Sequence, residues 1–126
     1  MDGQITDKES IKKIIIEECT KNHDLSFAAL EHRTGQARTD GDSAWTYSMG
    51  SRPNHILWQS RNQGIIEAVV ELVRDKKIKM TSCGYMIYLI DGMMLNYPLV
   101  KRLQKTDYKK PHWLPVYMEL KEGAAV

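Results

Sequence analysis

The sequence predicts an α+β fold, in which three helices pack on an antiparallel sheet of three or four strands. Segments within the first 75 residues have helix-start signals followed by apolar residues at helical spacing. Later residues form short apolar or alternating runs bounded by turn residues, which is typical of strands. The 126 residues, 42% hydrophobic and 27% charged, fit one domain with its own core. We therefore expect a single domain over 1–126, made of a helical part at 7–35, an irregular segment at 36–59 and a helix with an antiparallel sheet at 60–120.

The first helix is predicted at about residues 7–22. Thr6 and Glu9 have the spacing of a capping box, in which two side chains satisfy the free N–H groups of the first turn. Apolar residues then recur every three or four positions and form one stripe. This stripe consists of Ile11, Ile14, Ile15 and Cys19.

A shorter second helix is predicted to follow, with Phe27, Ala28, Ala29 and Leu30 as its apolar content. Either Asp24 or Ser26 can cap its start, and Gly35 is a natural terminator.

Residues 36–54 are rich in turn-forming residues and are the least regular part of the chain. Residues 44–47 and 55–58 are candidate short strands within or next to this stretch. An irregular segment of this length is uncommon in a compact domain and is often functional.

The third helix is predicted from Ser60, about sixteen residues long, and Ser60 with Gln63 has the form of a second capping box. The sequence Asp-Lys-Lys at 75–77 ends it. One wide apolar face is expected to be buried. That face consists of Ile65, Ile66, Val69, Leu72 and Val73.

The sheet is predicted after the third helix. Ile78 and Met80 alternate with lysines, and the apolar run 85–90 is expected to be a central strand. Asp91-Gly92 is typical of a type I′ hairpin turn, which needs positive φ at both residues. Residues 93–100 are then the return strand, and 112–120 the last strand.

This order of helices, short strand and apolar strand resembles the recognition helix and wing of the winged-helix DNA-binding superfamily. The resemblance covers about 7–35 and 60–90. Two features depart from it: a connection of about 25 residues precedes the third helix, where a helix-turn-helix has three or four, and a third strand extends the wing.

The resemblance implies that the N-terminal turn of the third helix reads base edges and that cations at its far end bind phosphates. The base-reading candidates are Gln59, Arg61, Asn62 and Gln63. The phosphate-binding candidates are Arg74, Lys76, Lys77 and Lys79, joined by Lys101 and Arg102 of a basic loop. The alternative is that the polar turn only caps the backbone.

The charge distribution leaves two interpretations open. The formal net charge is only +2, yet the segment 74–110 holds nine basic and three acidic residues. Such asymmetry predicts a basic face, whereas the alternative is a set of scattered, solvated lysines. A basic face requires the cations of 74–79 and 101–110 to converge with Arg61.

Aromatic residues support a different class of function. They can stack the bases of a single strand, but they more often fill a core or an interface. The alternative function is therefore a protein-interaction or assembly module without catalytic activity, which forms a homodimer through a sheet rich in tyrosine and methionine. The aromatic residues concerned are Trp45, Tyr47, Trp58, Tyr85, Tyr88, Tyr97, Tyr108, Trp113 and Tyr117.

No metal site, cofactor or enzyme is predicted. Cys19 and His23 are a single i, i+4 pair, and no second pair has ligand spacing. Asp40 and Asp42 lie in turn sequence, and phosphate-loop and nucleophile-elbow motifs are missing. A thiol enzyme that uses Cys83 with His112 stays open.

The cellular location is expected to be the cytoplasm. The two cysteines have no disulfide framework and suit a reducing compartment. The first residues have no signal-peptide pattern, and the apolar run 85–90 is too short to span a bilayer, so no membrane partner is expected.

Overall fold

The structure of the protein is a computed structural model that describes residues 5–22, 24–35, 45–50, 52–93, 95–101 and 107–121. Its helices are α1 Lys8–Asn22, α2 Phe27–Arg33, α3 Gln63–Arg74 and α4 Met86–Asp91. Its strands are β1 Leu25–Ser26, β2 Trp45–Met49, β3 Arg52–Ser60, β4 Ile78–Ser82, β5 His112–Trp113 and β6 Val116–Leu120. The α+β class predicted from the sequence is confirmed.

The strands form two small sheets, whereas one antiparallel sheet of three or four strands was predicted. The first sheet has the order β1-β6-β4 and is antiparallel throughout. The second has the order β2-β3-β5, in which β3 and β5 are parallel. The predicted last strand, 112–120, is divided between the sheets, because it is interrupted at Leu114 and Pro115 and proline has no N–H for a ladder.

The helical faces predicted for α1 and α3 are confirmed by burial. Every member of the α1 stripe is buried, and the α3 face is buried except for Val73, which is partly exposed. The two helices pack against each other; α1 lies over the first sheet, and α3 contacts strands of both sheets. A cluster of aromatic rings joins this layer to the second sheet through stacked and edge-on contacts. The cluster consists of Phe27, Trp58, Tyr88 and Trp113.

The predicted helix starts are correct for α2 and displaced for α1 and α3. Ser26 caps α2 by accepting the N–H of Ala29 at 3.0 Å. At α1 the carboxylate of Asp7 accepts the N–H of Ser10, so Asp7 replaces Thr6 as the capping residue. At α3, which has twelve residues and not sixteen, Asn62 is the cap. Both predicted capping boxes are therefore wrong, because in each case a neighbouring Asp or Asn, which is an equally good cap, takes the capping position.

The apolar run 85–90 is helical, and the central strand predicted there is wrong. Residues 86–91 form α4, and Gly92 ends it with a φ of +81°. The left-handed conformation expected at Gly92 is real, but it closes a helix and not a type I′ hairpin. The predicted return strand over 93–100 is also wrong for its described residues, where Leu99 makes one parallel bridge to Trp113. A six-residue apolar run has no period that separates a strand from a helix.

The predicted irregular segment, 36–59, contains regular structure in its second half. β2 and β3 form an antiparallel hairpin, with register shifts around Ser48. This hairpin includes the described residues of both candidate short strands, and it extends the second of them to Arg52–Ser60. Residues 36–44 lie outside the described residues.

Candidate functional site

The polar turn before α3 is largely used to build the fold. Asn62 is buried at 3% exposure, accepts the N–H of Gly64 at 3.1 Å and donates to the carbonyl of Ile5 at 2.9 Å. Its amide therefore ties the start of α3 to the segment before α1. A side chain held in this way presents no surface to a nucleic acid.

The other three residues proposed to read bases are more accessible. Gln59 lies on β3, where it donates to Thr46 at 3.2 Å and accepts from Tyr97 at 3.3 Å. Gln63 is exposed and donates to Glu67 one turn along α3 at 2.9 Å. Arg61 is exposed. Arg61 and Gln63 are thus the exposed pair of the four.

The far end of α3 carries a cluster of exposed cations, which we call the basic end. Arg74 pairs with Asp75 at 3.1 Å, and Lys79 lies 4.0 Å from Glu119. Within the described part of the chain, neither Lys76 nor Lys77 has a carboxylate at ion-pair distance. The backbone N–H of Lys121 donates to the carbonyl of Lys77, which adds a neighbouring exposed lysine. The basic end consists of Arg74, Lys76, Lys77, Lys79 and Lys121.

The backbone of Lys76 is held in the left-handed region, with a φ of 61°. The N–H of Lys76 donates to the carbonyl of Val73, and that of Lys77 donates to the carbonyl of Leu72. These two bonds make a Schellman motif, whose left-handed position is usually glycine. A lysine here costs on the order of 1 kcal/mol relative to the glycine that this position favours.

The predicted cations are divided among separate places. Arg61 precedes α3 and Arg74 ends it, and twelve residues of helix separate the two by about 18 Å. Lys101 is exposed beside β5, where the N–H of Val100 donates to the carbonyl of Trp113. Arg102 lies outside the described residues. The structure therefore groups Arg74 to Lys79 at one end of α3, places Arg61 at the other end and places Lys101 beside β5.

A buried histidine beside β5 is a feature that sequence reasoning missed. His55 Nδ1 lies 2.9 Å from a carboxylate oxygen of Asp107, and its buried Nε2 has no hydrogen-bond partner among the residues that the structure describes. Burial raises the pKa of Asp107, but hydrogen bonds from the Asn54 N–H and from His55 outweigh it, so this pKa is lowered. Tyr108 stacks on His112 and also packs against His55. A histidine at the start of the apolar run 56–58 was the available signal.

A second missed surface surrounds α4. Tyr88 is its buried residue, while Met86, Leu89 and Ile90 are 53%, 52% and 79% exposed. Beside it runs a groove of about 340 Å³ between α4, β1 and the end of α1, which we call the α4 groove. Residues 86–90 were expected to belong to the dimer-forming sheet rich in tyrosine and methionine, and they lie instead in an exposed helix.

The remaining chemistry-bearing residues do not assemble into a site in the described part of the chain. No group of three His, Cys, Asp or Glu side chains there can hold a metal ion. Burial raises the pKa of Cys19 to about 12 and also raises that of Cys83, which disfavours the reactive thiolate of either residue. His112 Nδ1 lies 2.8 Å from the carbonyl of Lys110.

In the segments that the structure describes, no helix has the length and apolar character needed to cross a membrane.

Comparisons of this chain with protein-family models, with curated proteins and with solved structures find no match.

Proposed function

We propose that the protein is a nucleic-acid-binding module that contacts phosphates through the basic end. Of the winged-helix type it would keep the recognition helix, as α3, but not the wing strand at 85–90, which is helical. The observation that supports this proposal is the left-handed backbone of Lys76, an exposed residue without an acidic partner among the described residues. Strained positions are enriched at functional sites, and a cationic side chain is the property that glycine would lack.

Phosphate binding fits the chemistry of the basic end better than base reading fits the start of α3. Lysines act as flexible point charges for phosphate oxygens and carry no sequence information. The buried amide of Asn62 is used by the fold, so base contacts fall to Arg61 and Gln63. Each base pair advances a duplex by about 3.4 Å along its axis, so a duplex lying along α3 would place Arg61 about five base pairs from the basic end.

The sharpest test is Lys76→Gly, because this one substitution removes both the positive charge and the strain of the left-handed backbone. The free energy of unfolding should be unchanged or raised by up to about 1 kcal/mol. Duplex affinity should fall, and the slope of log K against log salt should decrease by about one, as for one lost phosphate contact. Fluorescence anisotropy with labelled duplexes at low and high salt measures both quantities.

Lys13→Ala is the charge-matched control, because Lys13 is an exposed lysine of α1 outside the basic end. It should leave affinity and salt slope within error of the wild type. Arg61→Ala should instead flatten the preference at one base pair and cost about 1–3 kcal/mol of specific binding. The proposal is wrong if the protein binds no duplex with a Kd below about 100 μM at low salt. It is also wrong if Lys13→Ala lowers duplex affinity and salt slope as much as Lys76→Gly does.

A second candidate is a protein-interaction or assembly module without catalytic activity, and the exposed apolar side chains of α4 favour it. If α4 forms a homodimer, sedimentation velocity should show a dimer that Ile90→Asp abolishes. For either candidate we propose a cytoplasmic location, because the free thiols of Cys19 and Cys83 suit a reducing compartment.

A further inference from the structure

We infer that the α4 groove binds an amphipathic segment of a partner protein, whose apolar side chains are flanked by lysine or arginine. The inference is independent of the basic end, which belongs to a different surface. It depends on two properties of the groove, its apolar wall and its carboxylates.

The apolar wall is formed by α4 itself. Ile87 and Ile90 line the groove, and Ile90 is 79% exposed. Surface helices normally turn polar residues outward, yet the exposed positions 86, 89 and 90 are all apolar. The cap at Gly92 and the buried Tyr88 hydroxyl hold α4 in this orientation. A fixed, contiguous apolar surface of this kind is typical of interaction sites.

Carboxylates line the groove as well. Glu18, Asp24 and Asp91 line it together with Leu25. Glu18 pairs with Arg33 at 3.1 Å, Asp91 accepts the hydroxyl of Ser26 at 2.6 Å, and Asp24 is exposed. Among the described residues, neither Asp24 nor Asp91 has a cation at ion-pair distance, so the groove carries negative charge although the whole chain has a formal charge of +2.

This charge selects among the possible occupants. Nucleic acid is repelled, because its phosphates would meet the carboxylates of the groove. A two-fold dimer through α4 would place the same patch of both copies together, and therefore acids against acids. A cationic segment meets neither obstacle and neutralises Asp24 while its apolar side chains cover Ile90. Helix-in-groove recognition with anchors three and four residues apart supplies both features.

The test begins with selection of random 16-residue displayed peptides on the full chain. Enriched peptides should combine apolar anchors at helical spacing with flanking lysine or arginine. Two variants then locate the binding surface: Ile90→Asp and Asp24→Lys should each weaken the selected peptides at least tenfold. Val70→Asp is the matched control, because Val70 is an exposed apolar residue of α3, at 39% exposure. The affinity of this variant for the selected peptides should stay within twofold of the wild-type value. Circular dichroism verifies that each variant is folded.

Charge exchange makes the test specific. Asp24→Lys should regain affinity for a peptide whose lysines are replaced by glutamate, which nonspecific adhesion would not do. The inference is overturned if no peptide is enriched, if enriched peptides are acidic, or if Val70→Asp weakens binding as much as Ile90→Asp. A dimer in sedimentation velocity that Ile90→Asp dissociates would also overturn it, since a second copy would then be the occupant. Ile90→Asp should leave duplex affinity unchanged, so this inference and the proposed function fail separately.

Discussion

Gly64 marks the place where the start of α3 passes closest to the segment before α1. A methyl group added to its Cα would overlap the carbonyl oxygen of Thr6 and lie 2.9 Å from Cδ1 of Ile11. The backbone of Thr6 cannot move freely, because the neighbouring Ile5 carbonyl is bound by Asn62 and the Ile5 N–H donates to Thr34. Glycine is therefore required here by space and not by backbone conformation.

We expect Gly64→Ala to destabilise the protein by about 1–3 kcal/mol, the usual cost of overpacking. Helix propensity alone predicts the opposite, a gain of up to about 1 kcal/mol. Gly84→Ala is the control, because a methyl group there would meet nothing within 4 Å, and it should change stability by less than about 0.5 kcal/mol. Denaturant unfolding measures both, and a stabilised Gly64→Ala would refute this account.

Glu31 is a buried carboxyl group that accepts the indole N–H of Trp58 at 2.9 Å. Burial raises its pKa, and hydrogen bonds from Ser60 and Trp58 offset only part of that rise. The unfolded chain therefore loses this proton at lower pH than the folded chain does. Stability from this group is highest below the ordinary pKa of 4.5 and decreases as the pH rises through the folded pKa.

Two substitutions at Glu31 should separate charge from hydrogen bonding. Glu31→Gln keeps an acceptor for Trp58 and should gain stability relative to the wild type as the pH rises from 4 to 7. Glu31→Ala leaves the Trp58 N–H buried and unsatisfied, and should cost about 1–3 kcal/mol. Unfolding curves at several pH values test this, and a constant difference between Glu31→Gln and the wild type would contradict it.

Among the residues singled out from the sequence, burial was predicted better than chemistry. The stripe from Ile11 to Cys19 follows from period alone, because one face of a helix must leave water. The capping alternative for the polar turn is confirmed for Asn62. Its burial and its bond to the carbonyl of Ile5 could not be predicted, because an exposed cap and a buried cap have the same local sequence. His55 could not be recognised for a similar reason: its partner Asp107 lies 52 residues away in the chain.

At the scale of elements, α1 and α3 are joined by ionic contacts beside their apolar interface. Glu71 of α3 accepts from Lys8 at 2.8 Å and from Lys12 at 2.6 Å, both on α1. These hydrogen bonds lower the pKa of Glu71 to about 2. The depressed pKa means that the folded state holds the carboxylate more firmly than the unfolded state does.

We expect the Glu71 contribution to be complete above pH 4.5 and to be lost as the pH falls toward about 2. Glu71→Gln should remove this part of the acid sensitivity. Glu67→Gln, an exposed position one turn earlier on α3, should leave the acid transition of the wild type in place. Thermal unfolding between pH 2 and 5 provides the measurement, and an unaltered profile for Glu71→Gln would rule out the contribution.

The elements that the sequence predicted correctly are those with a clear period or a clear stop. α1 and α3 have both, and Gly35 and Gly92 each take the left-handed backbone expected of a turn or cap glycine. α4 has no clear period, since all its exposed positions are apolar, and its stop at Gly92 is equally typical of a hairpin turn after Asp91. Tertiary contacts set its helical form, because the Tyr88 hydroxyl donates to the carbonyl of Val116 and accepts the N–H of Phe27.

At the scale of the whole molecule, both sheets share one core. The ring of Trp58, in the second sheet, packs at a tilted angle against the ring of Tyr88, and the Tyr88 hydroxyl donates a hydrogen bond to β6 of the first sheet. Trp113 packs edge-on against Tyr88 and belongs to β5. Neither sheet can be removed without exposing these rings.

We therefore expect one cooperative unfolding transition. Tryptophan emission from Trp58 and Trp113, both buried, should change together with far-ultraviolet circular dichroism. The measurement is best made in Trp45→Phe, because Trp45 is half exposed and adds a solvated signal. Midpoints in denaturant that differ between the two probes would show that the sheets unfold separately.

The arrangement of the candidate site follows from long-range topology, which is why the sequence predicted its residues but not their grouping. Arg61 and Arg74 lie at opposite ends of one helix, so helical length alone separates them. Lys101 lies beside β5, and no local sequence pattern predicts the parallel pairing of β5 with β3. The α4 groove combines residues 18–29 with residues 87–91, and only the folded chain brings those segments together.

The central place of β6 in the first sheet has a consequence during synthesis. β1 and β4 are complete long before their shared neighbour exists, because β6 ends at Leu120 and β4 ends at Ser82. At usual elongation rates the ribosome needs roughly 2–8 s to add the intervening residues. During that interval β4 is still within the ribosome, but β1 has left it, so Leu25 has no strand beside it and is available to chaperones or to a strand of another nascent chain. Slow synonymous codons placed between residues 82 and 120 should therefore lower the yield of folded protein more than an equal number placed before residue 25, where no strand of this sheet has yet been made.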